Sequence, residues 1–354
     1  MRLSAQKEKI MKKTIFSILI LVGFGVFLFT VSPQMQAWRV RGNYNVIPAI
    51  APEIPQYDEP PRSERIANLM PYGKVSVYVH SLGEVVYLDF EEYILGVVAA
   101  EMPASFEIAA LQAQAIAARS FILYRMQIYR AYGAPSEHHG ADSCTNFAHC
   151  VAWTSMEAAR ERWGDRADYY EPRLRYAVES TVGAYMTYNG HVARAFFFAM
   201  SSGRTENSED VWSAAIPYLR SVHSGDYYDL PNFQTYAQFS VAEFVERLRA
   251  ERAGLLVGHT LSEALGEITR TDGGRVGSIR IGNESFRGTE IRRIFGLRSH
   301  NFEVSTDDWY VYFTVRGFGH GVGMSQHGAN RLARDGLSYS EILKTYYSGV
   351  DITR

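Results

Sequence analysis

The sequence predicts an α+β fold, with mixed helices and short strands forming one large extracytoplasmic domain behind a single N-terminal transmembrane helix. Three observations predict it. Strand-like alternation over residues 74–88 runs directly into helix-like stretches between residues 90 and about 129. Further strand-like runs come late, at Val276–Ile281 and over residues 309–318. Helices and strands never settle into a regular βαβ rhythm, which argues against a doubly wound parallel sheet.

The elements follow in chain order. Residues 1–14 form a basic tail, with Arg2, Lys7, Lys9, Lys12 and Lys13 against one acid, Glu8. Residues 15–31 carry no charge over 17 positions, the short end of what spans a bilayer. The positive-inside tendency places the tail in the cytoplasm and everything after Val31 outside. A cleavable signal peptide is the alternative. Its one candidate site, Met35-Gln36-Ala37, fits the small-residue rule poorly, so the segment is read as an uncleaved anchor. Residues 32–72 read as a linker, punctuated by Pro33, Pro52, Pro55, Pro60, Pro61 and Pro71 without apolar periodicity. The folded domain is residues 73–354.

Within it, residues 74–88 predict a hairpin turning at Ser81-Leu82-Gly83. A helix follows from Phe90 to about Glu101, where Pro103 disfavours a helical Met102. Ser105 is the expected N-cap of a second helix, from Glu107 to about Tyr129. Residues 133–153 read as a polar loop holding both cysteines, and residues 176–200 as short strands around the turn Asn189-Gly190. A short amphipathic helix is expected over 240–250, and residues 325–347 read as mostly helical.

Composition narrows the function. Thirty-six basic against 38 acidic residues give a net charge of −2, without the basic excess of a nucleic-acid binder. The 23 tyrosines would suit the C–H faces of sugar rings, although strand and core packing is the commoner use of any one of them.

Four constellations carry candidate chemistry. Glu101 ends its helix against the negative pole of the helix dipole, beside Val97, Val98 and Met102. Both effects disfavour the anion and raise the pKa, as a general acid requires. The bland alternative is an exposed carboxylate at a helix end. Gln112 and Arg119 lie seven residues apart on one helical face. Arg119 would bind a substrate carboxylate or hydroxyls, or pair with Glu101 or Glu92. The loop 138–150 holds Cys144, Cys150, His138 and His149, a donor set that fits zinc. A disulfide is the competing use outside the cytoplasm. Residues 317–329 alternate glycines around His320 and lead to Ser325-Gln326. Ser325 is expected to cap the following helix, and His320 and Gln326 are candidate substrate contacts.

Taken together these segments resemble the stage II sporulation protein D family. The carrying residues are the run from Glu91 to Arg119, His149-Cys150, the segment 202–207 leading to Asp210-Val211-Trp212 and Pro217-Tyr218-Leu219, the run 317–329, and Tyr346-Tyr347-Ser348-Gly349-Val350. The resemblance implies a lytic transglycosylase that cleaves the MurNAc–GlcNAc bond of peptidoglycan to 1,6-anhydromuramyl ends during engulfment in sporulation. It implies Glu101 as the catalytic acid, and a structural or positioning zinc held by His138, Cys144, His149 and Cys150. It further implies a partner amidase/endopeptidase and a multipass membrane protein, at the mother-cell engulfing membrane. Val151, where the family pattern has Gln, and Ala199-Met200, where it has a His-containing stretch, depart from it. Two alternatives stand beside this reading. One is a non-catalytic glycan-binding activator of a cell-wall amidase, and the other a zinc hydrolase using metal-bound water.

Overall fold

A computed structural model describes residues 73–146, 150–225 and 229–354. The basic tail, the anchor expected at 15–31 and the linker expected at 32–72 lie outside the described residues. Among those described, no helix is long and apolar enough to cross a membrane.

Strands β1 (Lys74–Val79) and β2 (Glu84–Asp89) form the expected hairpin, with Val79 facing Glu84. The chain passes straight into helix α1 (Phe90–Glu101), capped by Asp89, whose carboxylate accepts from the Glu91 and Glu92 amides. The helix stops where expected, because Met102 is extended ahead of Pro103. Helix α2 (Ile108–Tyr132) is the axis of the fold. Ser105 does not cap it. The helix starts too late for the Ser105 side chain, and Glu107 holds the cap position without a side-chain bond. Glu107 N–H instead donates to Asn330 Oδ1 at 2.8 Å. Alanines at 110, 113, 115, 117 and 118 are all buried, and such small residues let neighbouring helices approach α2 closely.

Strand β3 (Ser143–Cys144) then adds in parallel beside β1, pairing Tyr78 with Cys144. Helices α3 (Met156–Trp163) and α4 (Ala167–Glu179) were not foreseen. Few of their residues are buried apolar ones, and Pro172 sits inside α4, so periodicity gave no signal. Residues 176–179, expected as strand, are the last turn of α4. The Asn189-Gly190 turn does join strands β4 (Tyr185–Tyr188) and β5 (His191–Val192). Strands β6 (Phe197–Phe198) and β7 (Gly203–Arg204), short helix α5 (Ser208–Val211) and strand β8 (His223–Gly225) complete this stretch.

Residues 234–316 build a second hydrophobic core of their own. Strands β9 (Gln234–Ser240), helices α6 (Val241–Glu251) and α7 (Leu261–Ala264), strands β10 (Leu265–Arg270), β11 (Val276–Ile281) and β12 (Glu284–Arg287), helix α8 (Gly288–Phe295), and strands β13 (Phe302–Thr306) and β14 (Tyr310–Arg316) make two three-stranded sheets in the orders β10-β11-β12 and β13-β14-β9. Phe244, Phe286, Phe295, Phe302 and Phe313 fill the space between them and their helices. The chain then returns to the first core through β15 (Met324–Ser325), helices α9 (Gln326–Arg334) and α10 (Tyr339–Tyr346), and β16 (Asp351–Thr353), which pairs with β4. Helices α1, α4, α9 and α10 surround α2. The α+β prediction holds.

Candidate active site

Glu101 is the last residue of α1, half-buried, and its two carboxyl oxygens are held by parts of the chain far apart in sequence. Ala152 N–H donates to Oε1 at 2.7 Å and Gln326 Nε2 donates to Oε2 at 3.0 Å. Burial raises the carboxyl pKa above its ordinary value, and these two bonds, which favour the anion, oppose it. No neighbouring charge contributes to the shift. Its raised pKa thus comes from burial rather than from a second charge beside it.

Each donor has a structural cause. Residues 152–154 lie directly against α1 because position 96 is glycine. A Cβ there would overlap Trp153 Nε1 and Thr154 O, and Thr154 N–H reaches Gly96 O at 3.3 Å. Gln326 opens α9, whose first turn is capped by Ser325 as expected. Ser325 Oγ accepts from Gly328 N–H at 3.2 Å and also from Ser201 N–H at 3.1 Å. Ahead of it, Gly317, Gly319, Gly321 and Gly323 all have positive φ. At Gly323 a Cβ would overlap Phe196 O, so this backbone reaches β6 only because it carries no side chain there.

Two residues upstream of Ala152 begins a second cluster. His138, Cys144 and Cys150 are buried, and their donor atoms all lie within 4.8 Å of one another. The sulfurs are 3.6 Å apart and His138 Nε2 is 3.3 Å from Cys150 Sγ. A disulfide would need about 2.05 Å, and neither cysteine is in a disulfide. The edges of a tetrahedral zinc site with these ligands measure about 3.8 Å between sulfurs and about 3.5 Å from nitrogen to sulfur, so the donor set fits the ion. The surroundings fit as well. His138 Nδ1 lies 3.1 Å from Ala141 O, and Nε2 faces the Cys150 sulfur. Asn146 N–H donates to Cys144 Sγ and Arg125 Nη1 to Cys150 Sγ, both favouring thiolate. His149 lies outside the described residues.

The other candidates fall elsewhere. Arg119 is interior, with only 1% of its side chain exposed, and grips Glu91 with two nitrogens at 3.0 and 2.7 Å. It also donates to Thr181 Oγ1 and Val178 O. Its partner is Glu91, neither Glu101 nor Glu92, and these donors are engaged inside the fold. Gln112 is likewise engaged, donating from Nε2 to Ser180 Oγ at 2.8 Å. His320 packs among Phe196, Phe198 and Trp212, with Nδ1 accepting from Val322 N–H. Burial, reinforced by the Arg292 and Arg275 charges, lowers it to about 3 and keeps the ring neutral. Gln326 is the exception, because its amide touches the candidate acid itself. Sequence reasoning missed the Ala152 N–H, since a backbone donor leaves no mark in residue identity.

Comparison with known proteins places this geometry. The family model described as "Stage II sporulation protein" matches residues 78–188, which include Glu101, Ala152 and the His-Cys cluster. Stage II sporulation protein D of Bacillus amyloliquefaciens is 39% identical over 282 residues, covering 79% of this chain and 78% of that protein. The Bacillus subtilis protein of the same name is 38% identical over 280 residues, with the same coverage. The chain belongs to the stage II sporulation protein D family. A more distant relative of this stage II sporulation protein D homologue is the protein named "Amidase enhancer" of Bacillus subtilis, 26% identical over 73% of this chain and 40% of that protein.

Proposed function

We propose that this sporulation protein is a lytic transglycosylase of peptidoglycan glycan strands, with Glu101 as its single catalytic acid. The observation that carries the reading is Glu101 itself, a carboxyl held from across the fold by Ala152 N–H and the Gln326 amide, with burial raising its pKa. A conventional glycosidase usually works with two carboxyl groups about 5 to 10 Å apart. A transglycosylase manages with one, because the sugar supplies its own nucleophile. Glu101 in its protonated form, which burial favours, gives its proton to the oxygen bridging MurNAc and GlcNAc as the C1–O bond breaks. The carboxylate left behind is the form that Ala152 N–H and the Gln326 amide stabilise. It then accepts the proton of the muramic 6-hydroxyl as that oxygen attacks C1, closing a 1,6-anhydro ring.

His138, Cys144 and Cys150 would hold a zinc ion, with His149 as a further candidate ligand, and the ion when bound would cross-link the loop that precedes Ala152. In this role the metal is structural or positioning. We further propose an uncleaved anchor at 15–31 that keeps the domain outside the membrane of a spore former. There it would act during engulfment with an amidase/endopeptidase and a multipass membrane protein.

Mass spectrometry of products tests the activity. The protein and its Glu101→Gln variant are incubated with purified glycan strands, bare and peptide-bearing. Anhydromuramyl ends from the wild type alone support the proposal. Reducing ends abolished by chelation replace it with a zinc hydrolase. The similarity to an amidase enhancer favours a second reading, a glycan-binding activator. That reading gains if neither protein cleaves while both bind strands and stimulate an amidase.

A further inference from the structure

Glu206, Arg275 and His300 are completely buried and face one another where the second core meets the glycine-rich loop 317–323. Glu206 Oε1 lies 3.8 Å from Arg275 Nε, and Glu206 Oε2 lies 3.8 Å from His300 Nε2. Both separations exceed a hydrogen bond. Thr271 Oγ1 donates to Glu206 Oε1 at 3.0 Å, and Arg275 Nη1 donates to Gly319 O at 3.0 Å. Five atoms remain without a protein partner, namely Glu206 Oε2, Arg275 Nε and Nη2, and both ring nitrogens of His300. Buried polar groups are rarely left so.

The chemistry of these atoms selects their occupant. Arginine only donates, a carboxylate only accepts, and a neutral imidazole does one of each. An anion would serve Arg275 and be repelled by Glu206, and a cation would meet the reverse. Water donates and accepts, so it satisfies all three side chains.

The cluster also bears on the loop. Glu206 N–H donates to Gly321 O at 2.8 Å, and a Cβ at Gly321 would lie 2.7 Å from Arg275 Cζ and 2.8 Å from Glu206 Cγ. The loop thus rests on Glu206 and Arg275, and five residues beyond Gly321 the same chain delivers Gln326 to Glu101. We infer that Glu206, Arg275 and His300 enclose ordered internal water, and that this hydrated cluster is a positioning device for Gln326. The second half of the inference rests on Glu101 being the catalytic acid.

Two measurements test it separately. A high-resolution crystal structure should show water bonded to at least two of Glu206 Oε2, Arg275 Nη2 and the His300 ring. Direct Glu206–Arg275 hydrogen bonds with no water between them would overturn the first half, whatever the enzyme does. For the second half, Arg275→Met should lower kcat on the order of tenfold with KM unchanged, and Arg275→Lys should recover most of it. Should Arg275→Met fail to fold, His300→Gln takes its place with the same expectation. A folded variant that cleaves at the wild-type rate overturns the positioning role. A wild type that cleaves nothing overturns it too, by removing the catalytic assignment beneath it, and leaves the water to be judged from the density.

Discussion

Gln326 and Glu101, 225 residues apart in the chain, meet at 3.0 Å, the amide of one holding a carboxylate oxygen of the other. The bond joins the start of helix α9 to the end of helix α1, so the candidate acid is set by two helix termini rather than by one loop. It stabilises the anion against a burial that disfavours it.

That balance predicts a pH effect. Glu101 works as an acid, so kcat/KM should fall as pH rises through its elevated pKa. Gln326→Ala removes a donor to the anion and raises that pKa further. The alkaline limb should therefore move to higher pH, while the maximal rate drops on the order of tenfold or more. An alkaline limb that stays in place in a folded variant would argue against the pairing in solution.

Replacing Glu101 itself by Gln preserves shape and removes the proton. The loss of cleavage should be about 10² to 10⁴-fold, with an unfolding curve close to that of the wild type. Wild-type turnover by this variant would end the single-acid reading.

The His138, Cys144 and Cys150 cluster predicts one bound zinc per chain, read by elemental analysis. Cys144→Ser and Cys150→Ser should each lose it, together with at least about 2 kcal/mol of stability. Cleavage should weaken because the loop ahead of Ala152 slackens. Full metal content in both variants would refute the site.

Glu206 predicts how stability depends on pH. Burial, opposed by Arg275 and Thr271 and aided by Asp210 and Asp272, pushes its carboxyl from 4.5 up to about 7. The unfolded chain releases this proton near 4.5 and the folded chain near 7. Over that interval the folded state binds more protons, so this group's contribution to stability declines as pH rises, by up to about 3 kcal/mol, and levels off above it. His300, facing Glu206, stays neutral because burial lowers its pKa well below the usual value. Chemical denaturation at about pH 5 and about pH 8 should show the decline in the wild type and a smaller one in Glu206→Gln. Equal slopes in the two proteins would contradict the assignment.

Arg119→Ala should cost about 3 kcal/mol, because Glu91 loses both bonds of a largely buried pair. Glycan affinity of the folded variant, measured by co-sedimentation with purified strands, should not change. A loss of affinity at full stability would restore Arg119 to the substrate site.

Local sequence determined much of this protein. Alternation drew β1 and β2, Pro103 ended α1, Asn189-Gly190 turned β4 into β5, and Ser325 announced the start of α9. These signals are short-ranged, since a strand's period, a proline's missing N–H and a cap's hydroxyl each act within a few residues. The nearness of His138, Cys144 and Cys150 was legible for the same reason, because all three lie in one short segment. Helices α3 and α4 were not legible, since their mostly polar surfaces and Pro172 hide the period that burial imposes. Only the tertiary structure decided what the candidate residues touch. Arg119 and Gln112 share a helical face, but that face turns inward to Glu91 and Ser180, whereas Gln326 finds Glu101 across the fold. Ala152 contributes through its backbone, and Glu206, Arg275 and His300 meet from three separate segments. Contacts of this kind depend on how helices and sheets close around a common core, and no residue's identity or local spacing records that closure.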